Sequence, residues 1–290
     1  MERRRHNVQL FALAEPPPGS IDLGGGTYRL ARVFKHDFFA ATCLYERRDA
    51  RNGAKAEGLP SAGLARVVVK FGRRQDFCGL PLAWYAGMLR DREEAIYGLL
   101  AGIPGVPRWM GRIGRTGYAI EYVEGRALDQ PPAPPTGFFD DLRRIFDAIH
   151  ARGVAYCDAN KRSNILIAED GRPFLIDYQI AIRRRDDLPR PLRAVVRAAV
   201  DYMCRKDLYH LYKHKRRISP SELTSEEEAL SRRRGCLHSM HAAIAGPYRR
   251  LRRLFLRRQH EAGRLVSPTA DREDRCQPEK GTWRKPLDRP

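Results

Sequence analysis

The chain is predicted to fold as an α+β protein in two parts, an antiparallel sheet with one helix followed by a smaller, mostly helical part. Three observations predict this. Short β-branched and aromatic runs between Tyr28 and Gly125 are separated by turn residues, the pattern of a strand meander. Within them, Leu82 to Leu100 repeats apolar residues at helical spacing. Beyond Ile182 the apolar residues again recur at helical spacing, among many arginines.

Taken in order, "EPPPGSIDLGGG" is dominated by proline and glycine, which oppose both helix and sheet. Residues 1–27 are therefore expected to be a flexible lead-in, with Gly24, Gly25 and Gly26 as a linker. "YRLARVFKHD" and "FFAATCLYERR" read as strands joined by a turn at Lys35 to Phe38, and "LARVVVKFGRR" as a third after a loop at Asp49 to Gly63. The helix that follows is expected to face the core with Tyr85, Met88, Leu89, Ile96, Leu99 and Leu100, and to stop in "AGIPGVPRW". "GRIGRTGYAIEYVEG" supplies two more strands around Arg115 to Gly117, completing a five-stranded sheet with one helix over residues 28–124.

The connector "DQPPAPPTG" opens the second part, residues 125–260. Leu142, Ile145, Phe146 and Ile149 mark a helix ending at Gly153, and "NILIAEDGRPFLID" is a hairpin turning at Asp170 and Gly171. Two helical stretches follow, the second opened by Thr224 and Glu227 as a capping box. Residues 261–290 are polar and basic, and are expected to be disordered.

Composition narrows the function classes. Lys and Arg number 54 against 35 Asp and Glu, a formal charge of +19. From Arg183 onward there are 28 Lys and Arg against 14 Asp and Glu, so +14 lies there. Clustered cations attract phosphate-bearing ligands, nucleic acid and anionic membrane surface alike. The Lys213–Arg217 and Arg249–Arg258 clusters read as solvated helix faces; Leu251, Leu254, Phe255 and Leu256 interleave with the second, which also suits an interface. Six cysteines without CxxC spacing argue against a zinc site or a disulfide scaffold. No apolar run approaches the roughly 20 residues of a bilayer span, and the opening "MERRRHNVQLFALAEPPPGS" lacks the apolar core of a signal peptide. The expected location is the cytosol, with peripheral association at the inner face of the membrane as an option.

The chemistry is concentrated in "AYCDANKRSNILIAEDGRPFLIDYQI". Asp158, Lys161 and Asn164 share one loop, and Asp177 ends the apolar run Phe174, Leu175, Ile176. Singly, each has an ordinary explanation: loop caps, a turn, a solvated lysine. Together they supply what phosphoryl transfer needs, namely oxygen ligands for a metal, an acceptor for the substrate proton and cations for phosphate. Lys161 precedes Asn164 by three residues and Asn164 precedes Asp177 by thirteen, with a hairpin to return the two oxygen ligands to one end.

On these motifs the chain resembles the protein-kinase-like superfamily, in a divergent bacterial form, from about Tyr28 to Ile182. The resemblance implies a bilobal fold and an ATP- and Mg²⁺-dependent kinase acting on a hydroxyl acceptor. It makes Asp158, in "YCD", the catalytic base with Lys161 beside it, and Asn164 and Asp177 the Mg²⁺ ligands. Lys70, ending "VVVK", matches the lysine that holds the donor's α- and β-phosphates; Glu94 matches its ion-pair partner, with Glu93 as second choice. "IEYVEG" resembles the hinge, its backbone from Glu121 to Val123 facing adenine. "KHDFFAA" falls at the phosphate-covering turn, with Phe39 at the aromatic position and Lys35 or His36 reaching phosphate by side chain. His150 is expected to pack beneath the catalytic loop.

The chain departs from the pattern in four places. Asp158 to Asn164 is six residues where the family has five, placing an insertion at Ala159 or Asn160. Gln179 replaces the glycine of Asp-Phe-Gly, the phosphate-covering turn has no glycine, and no Ala-Pro-Glu follows. In this the chain looks more like the small atypical kinases, the RIO type and the bacterial lipopolysaccharide-core kinases. The acceptor stays open between a serine or threonine of a protein and an anionic glycolipid. Two other readings stand beside the kinase: a pseudokinase that binds nucleotide as a scaffold, and a basic nucleic-acid or membrane-surface binder.

Overall fold

The computed structural model describes residues 11–48, 64–77 and 79–232. The expectations for residues 233–290, including the Arg249–Arg258 cluster and the tail, lie outside the described residues, as do those for residues 1–10 and 49–63. The chain is mixed α+β, and its described residues divide into two compact units, one of residues up to 90 with 110–122, the other of 91–109 with 123–232.

In the first unit β1 (Ser20–Leu23), β2 (Gly26–His36), β3 (Ala40–Arg47) and β4 (Arg66–Gly72) follow one another as antiparallel neighbours. Helix α1 (Ala83–Leu100) then leads to β5 (Trp109–Ile113) and β6 (Gly117–Glu121), giving a six-stranded sheet in the order β1-β2-β3-β4-β6-β5. The expected five strands become six because the glycine triplet is a turn and not a linker. Gly24 and Gly25 take φ of 55° and 76°, the left-handed pair that a two-residue hairpin loop requires, and Ser20–Leu23 pairs back onto Gly26–Arg29. The lead-in is correspondingly ordered from Phe11, with Phe11, Ala12 and Leu13 buried.

Strand alternation builds the core of this unit. Val67, Val69 and Phe71 of β4 turn to one face, where they pack with Ala41, Cys43 and Tyr45 of β3 and Tyr28 and Val33 of β2. Lys70, one residue out of phase, points to the other face.

In helix α1 the buried residues are Ala86, Glu93, Ile96, Tyr97 and Leu100, whereas Trp84, Tyr85, Met88 and Leu99 are exposed. Ile96 and Leu100 thus face the core as expected, whereas Tyr85, Met88 and Leu99 do not, and Ala86, Glu93 and Tyr97 take the buried places beside them. The second half of the helix, from Asp91, groups with the second unit, where Tyr97 packs between Trp109 and Tyr178.

The second unit contains β7 (Gly125–Ala127), α2 (Phe138–Ala151), β8 (Val154–Ala155), β9 (Ile165–Ala168), β10 (Pro173–Leu175), β11 (Ile182–Arg183), α3 (Arg190–Ile218) and α4 (Ser225–Arg232). β9 and β10 form the expected hairpin, flanked by β7, and β11 pairs with β8. Helix α2 buries Phe138, Phe139, Leu142, Ile145, Phe146 and Ile149 along one stripe, the face its spacing predicts. The capping box at α4 forms as read: Thr224 N–H donates to Glu227 Oε2 at 2.9 Å, and Glu227 N–H donates to Thr224 Oγ1 at 3.3 Å.

The Lys213–Arg217 cluster is not the solvated face expected. Lys215 is buried, its ammonium 2.8 Å from Asp140 on α2 and 3.0 Å from Glu227 on α4, and Arg216 donates to Ser231 Oγ. A buried lysine persists where carboxylates meet it from both sides. Among the described residues no helix is long and apolar enough to cross a membrane.

Candidate functional site

The site grows out of the chain leaving β8. Tyr156 is fully buried, and Cys157 takes φ of 69°, a left-handed conformation unusual for a residue other than glycine. Asp207 of α3 holds this bend. Its Oδ1 accepts from Cys157 N–H at 2.9 Å, and its Oδ2 accepts from Tyr156 N–H at 2.8 Å and lies 3.2 Å from His150 Nε2. Burial pushes the Asp207 carboxyl above its ordinary range, while His150 and the two amides pull it back. His150 thus sits beneath the loop, as its position at the end of α2 predicts.

The next two residues of the loop are held from α3. Ala159 is buried and its carbonyl accepts from His214 Nε2 at 3.0 Å, so His214 carries its proton on that nitrogen. Asn160 Oδ1 accepts from Lys213 Nζ at 3.0 Å. Two successive residues near the end of α3 therefore hold Ala159 and Asn160. Burial drives His214 down to about 4, so its ring is neutral at ordinary pH.

Beyond Asn160 the backbone makes one tight turn, Arg162–Asn164, which returns Asn164 to Asp158. Asn164 Nδ2 donates to Asp158 Oδ2 at 2.8 Å, and Lys161 Nζ lies 2.9 Å from the same oxygen. Among the described residues Asp158 Oδ1 and Asn164 Oδ1 take no bond. Asp177 arrives beside them through the hairpin, because Ile176 N–H donates to Asn164 O at 3.0 Å. Asp177 is itself left-handed at φ 63°. Burial raises the Asp158 carboxyl above its ordinary range, Lys161 and Asn164 oppose the rise, and the neighbouring Asp177 charge adds to it.

Beneath these oxygens runs a ladder of rings. Trp109, Tyr97, Tyr178, Tyr156, Phe146 and His150 follow one another at centroid separations of 5.7, 5.1, 5.1, 6.1 and 5.8 Å. The Tyr156 hydroxyl donates to Ile176 O, fastening the bend before Asp158 to the residue just before Asp177. The second unit therefore brings together four residues picked from the sequence: Asp158, Lys161, Asn164 and Asp177.

The other sequence choices sit on β2, β4, β6, α1 and the segments that follow them. Lys70 sits in β4 opposite Thr42 and Tyr118, its ammonium 5.8 Å from the Tyr118 ring centre, and Glu121 ends β6 opposite Val67. Val123 follows as the first residue of the second unit's later segment. On α1, Glu93 is 2% exposed and lies on the buried stripe, whereas Glu94 is half-buried at its flank.

His36 is a correction. It is buried, stacked edge-on against Phe11, and its Nε2 accepts from Leu13 N–H at 3.1 Å, so it is a core residue of the first unit and not a phosphate contact. The irregularity in β2 between Val33 and Lys35 reverses the strand's alternation and turns His36 inward. Lys35 is engaged by Asp37 at 2.7 Å, and Phe39 is exposed. Asp37 Oδ1 accepts from the N–H groups of Phe39 and Ala40 at 2.8 and 3.0 Å, so the turn's amides already hold a carboxylate. Burial works against ionisation of Asp37, but Lys35 and the two amides outweigh it and lower its pKa.

Sequence reasoning missed Asp207, His214, Asp37 and Tyr156. One signal was present for the first two: Asp207 and His214 fall on the α3 stripe with Val200 and Leu211, where helical spacing calls for apolar residues.

The oxygens at hand test the fit to Mg²⁺. Among the described residues no three His, Cys, Asp or Glu side chains gather as a metal cage. One carboxylate and one amide oxygen nevertheless fit Mg²⁺, which keeps water and phosphate oxygens in its shell and needs few protein ligands. A scan against protein-family models matches none to this chain, and a search of curated proteins finds no match.

Proposed function

We propose that the chain is an ATP- and Mg²⁺-dependent phosphotransferase with a bilobal, kinase-like fold, acting on a hydroxyl acceptor from the cytosolic side. One observation carries this reading: Asp158 is fixed through Oδ2 by Asn164 and Lys161, keeps Oδ1 open, and has Asp177 brought beside it by the β9–β10 hairpin. Mg²⁺, when bound, neutralises phosphate charge and orients the transferring group. Asn164 Oδ1 and the Asp177 carboxylate are the oxygens that would hold it.

Asp158 Oδ1 accepts the acceptor's hydroxyl proton; its raised pKa brings it toward the range useful to a general base. Lys161, tied to the other oxygen, keeps the carboxylate aimed and places positive charge by the acceptor. The resemblance assigns Lys70, with Glu94 or the more buried Glu93, to the donor's phosphates, and the backbone of Glu121 to Val123 to adenine. A protein serine or threonine and an anionic glycolipid each carry the hydroxyl group that this reading requires of the acceptor.

A second reading, a nucleotide-binding scaffold without turnover, is favoured by the β2–β3 turn. There Asp37 occupies the amides that a glycine-rich turn would offer to phosphate.

Labelled γ-phosphate transfer from Mg·ATP into the protein, lipid and sugar fractions of a cell extract separates the two. The expected result is label in one fraction, lost with Asp158→Ala and with Asp177→Asn while nucleotide binding survives in the first variant. Undiminished transfer by Asp158→Ala would overturn the assignment. ATP binding without label in any fraction would establish the scaffold instead.

A further inference from the structure

We propose that the first three turns of α3 are a docking surface for an anionic lipid bilayer. Residues 189–199 are exposed throughout except Val196, which is half-buried. Exposure this complete is unusual for a stretch carrying six aliphatic or alanine side chains in the eight residues 192–199. Leu192 is 56% and Val195 66% exposed, the latter among the most exposed large apolar residues described.

The arrangement of these side chains is ordered. At about 100° per residue, Arg190, Arg193 and Arg197 fall within a sector of about 60°, and Leu192, Val195 and Ala199 fall within another of about 60°, roughly 160° away. The helix is thus cationic on one side and aliphatic on the other, while Val196 and Val200 between the two sectors attach it to its unit. An interfacial helix has these properties: an apolar side set into the acyl boundary and arginines whose long stems reach the headgroups.

Charge complementarity names the partner. Ile182 to Ala199 carries six arginines and two aspartates. Arg185 is paired with Asp187 and Arg184 with Asp201, but among the described residues Arg190 and Arg193 have no ion pair. A nucleic acid would answer the arginines and leave Leu192 and Val195 unexplained, since single strands are gripped by aromatic stacking and duplexes by cations and polar groups. A bilayer bearing acidic headgroups answers both sectors at once. The surface is independent of the phosphotransfer reading, because none of these residues belongs to the Asp158 site.

The test is vesicle flotation of the full chain without nucleotide, on phosphatidylcholine alone and on an equal mixture with phosphatidylglycerol. Binding is expected only to the mixed vesicles. The triple variant Arg190→Gln, Arg193→Gln, Arg197→Gln should weaken it about a hundredfold, at the usual contribution of a cation near an acidic surface. Leu192→Ser with Val195→Ser should weaken it at least about tenfold by removing the inserted apolar groups. All these positions are exposed, so unchanged melting temperatures are expected and show that the variants fold.

No binding by the parent, or variants that float with it, would overturn the proposal. Loss in the arginine variant alone, with polyuridylate competing for the parent, would overturn it in favour of nucleic acid. Each result is read without phosphotransfer, so failure here leaves the Asp158 assignment standing, and the reverse.

Discussion

Asp158 is held in a place that resists its charge. Its pKa is raised by burial, so the folded chain keeps the proton to higher pH than the unfolded chain does. Stability therefore falls as pH rises from the ordinary aspartate value of about 3.9 through the folded value, and the cost persists at neutral pH. Asp158→Asn removes that cost while keeping the shape. It should melt higher than the parent at neutral pH, with the difference closing in acid, and should lose transfer. A lower melting temperature at neutral pH would mean that the Lys161 pair outweighs burial. His214 works in the opposite sense: lowered to about 4 from 6.5, it favours the folded chain most above the unfolded value, and that contribution fades as pH falls toward 4. In His214→Gln, whose amide can still donate to Ala159 O, the loss of stability between about pH 6.5 and 4 should be shallower in urea titrations, by up to about 3 kcal/mol. An unchanged slope would locate the acid sensitivity elsewhere.

At the scale of elements, legibility follows the range of the interaction. The β9–β10 hairpin and the Thr224 cap rest on neighbours a few residues apart, so Asn164, Asp177 and Glu227 could be placed from spacing. The Asp207 clamp joins residues 50 and 51 positions apart, which no local pattern announces. Irregularities also hide: the bulge in β2 buries His36, and the two left-handed glycines make a hairpin where composition suggested a linker. Gly105 shows how tightly the second unit closes. It sits at φ 86°, its carbonyl accepts from Leu175 N–H at 2.8 Å, and a Cβ there would lie 2.2 Å from Ile145 Cδ1 and 2.9 Å from Pro173 O. Gly105→Ala should cost about 2–4 kcal/mol in urea unfolding, from left-handed strain together with overpacking. A loss below about 0.5 kcal/mol would show that the α2–β10 contact yields easily.

Over the whole molecule the formal charge of +19 works against compactness, because like charges repel more strongly when gathered. Screening shortens from about 30 Å to about 8 Å between 0.01 and 0.15 M salt, so the melting temperature should rise over that range. A fall would show that screened ion pairs such as Lys215 with Asp140 and Glu227 count for more than the net repulsion. The ladder of rings under Asp158 and Asp177 also has an optical consequence. Trp109 stands at its end, 5.7 Å from Tyr97, with Tyr178 and Tyr156 in further steps of 5.1 Å. Excitation absorbed by a tyrosine passes between rings at such separations faster than it is emitted, and tryptophan is the lower-energy acceptor. Light taken up beside Asp177 therefore leaves from Trp109, giving the second unit a built-in fluorescent readout of whether its loop is in place.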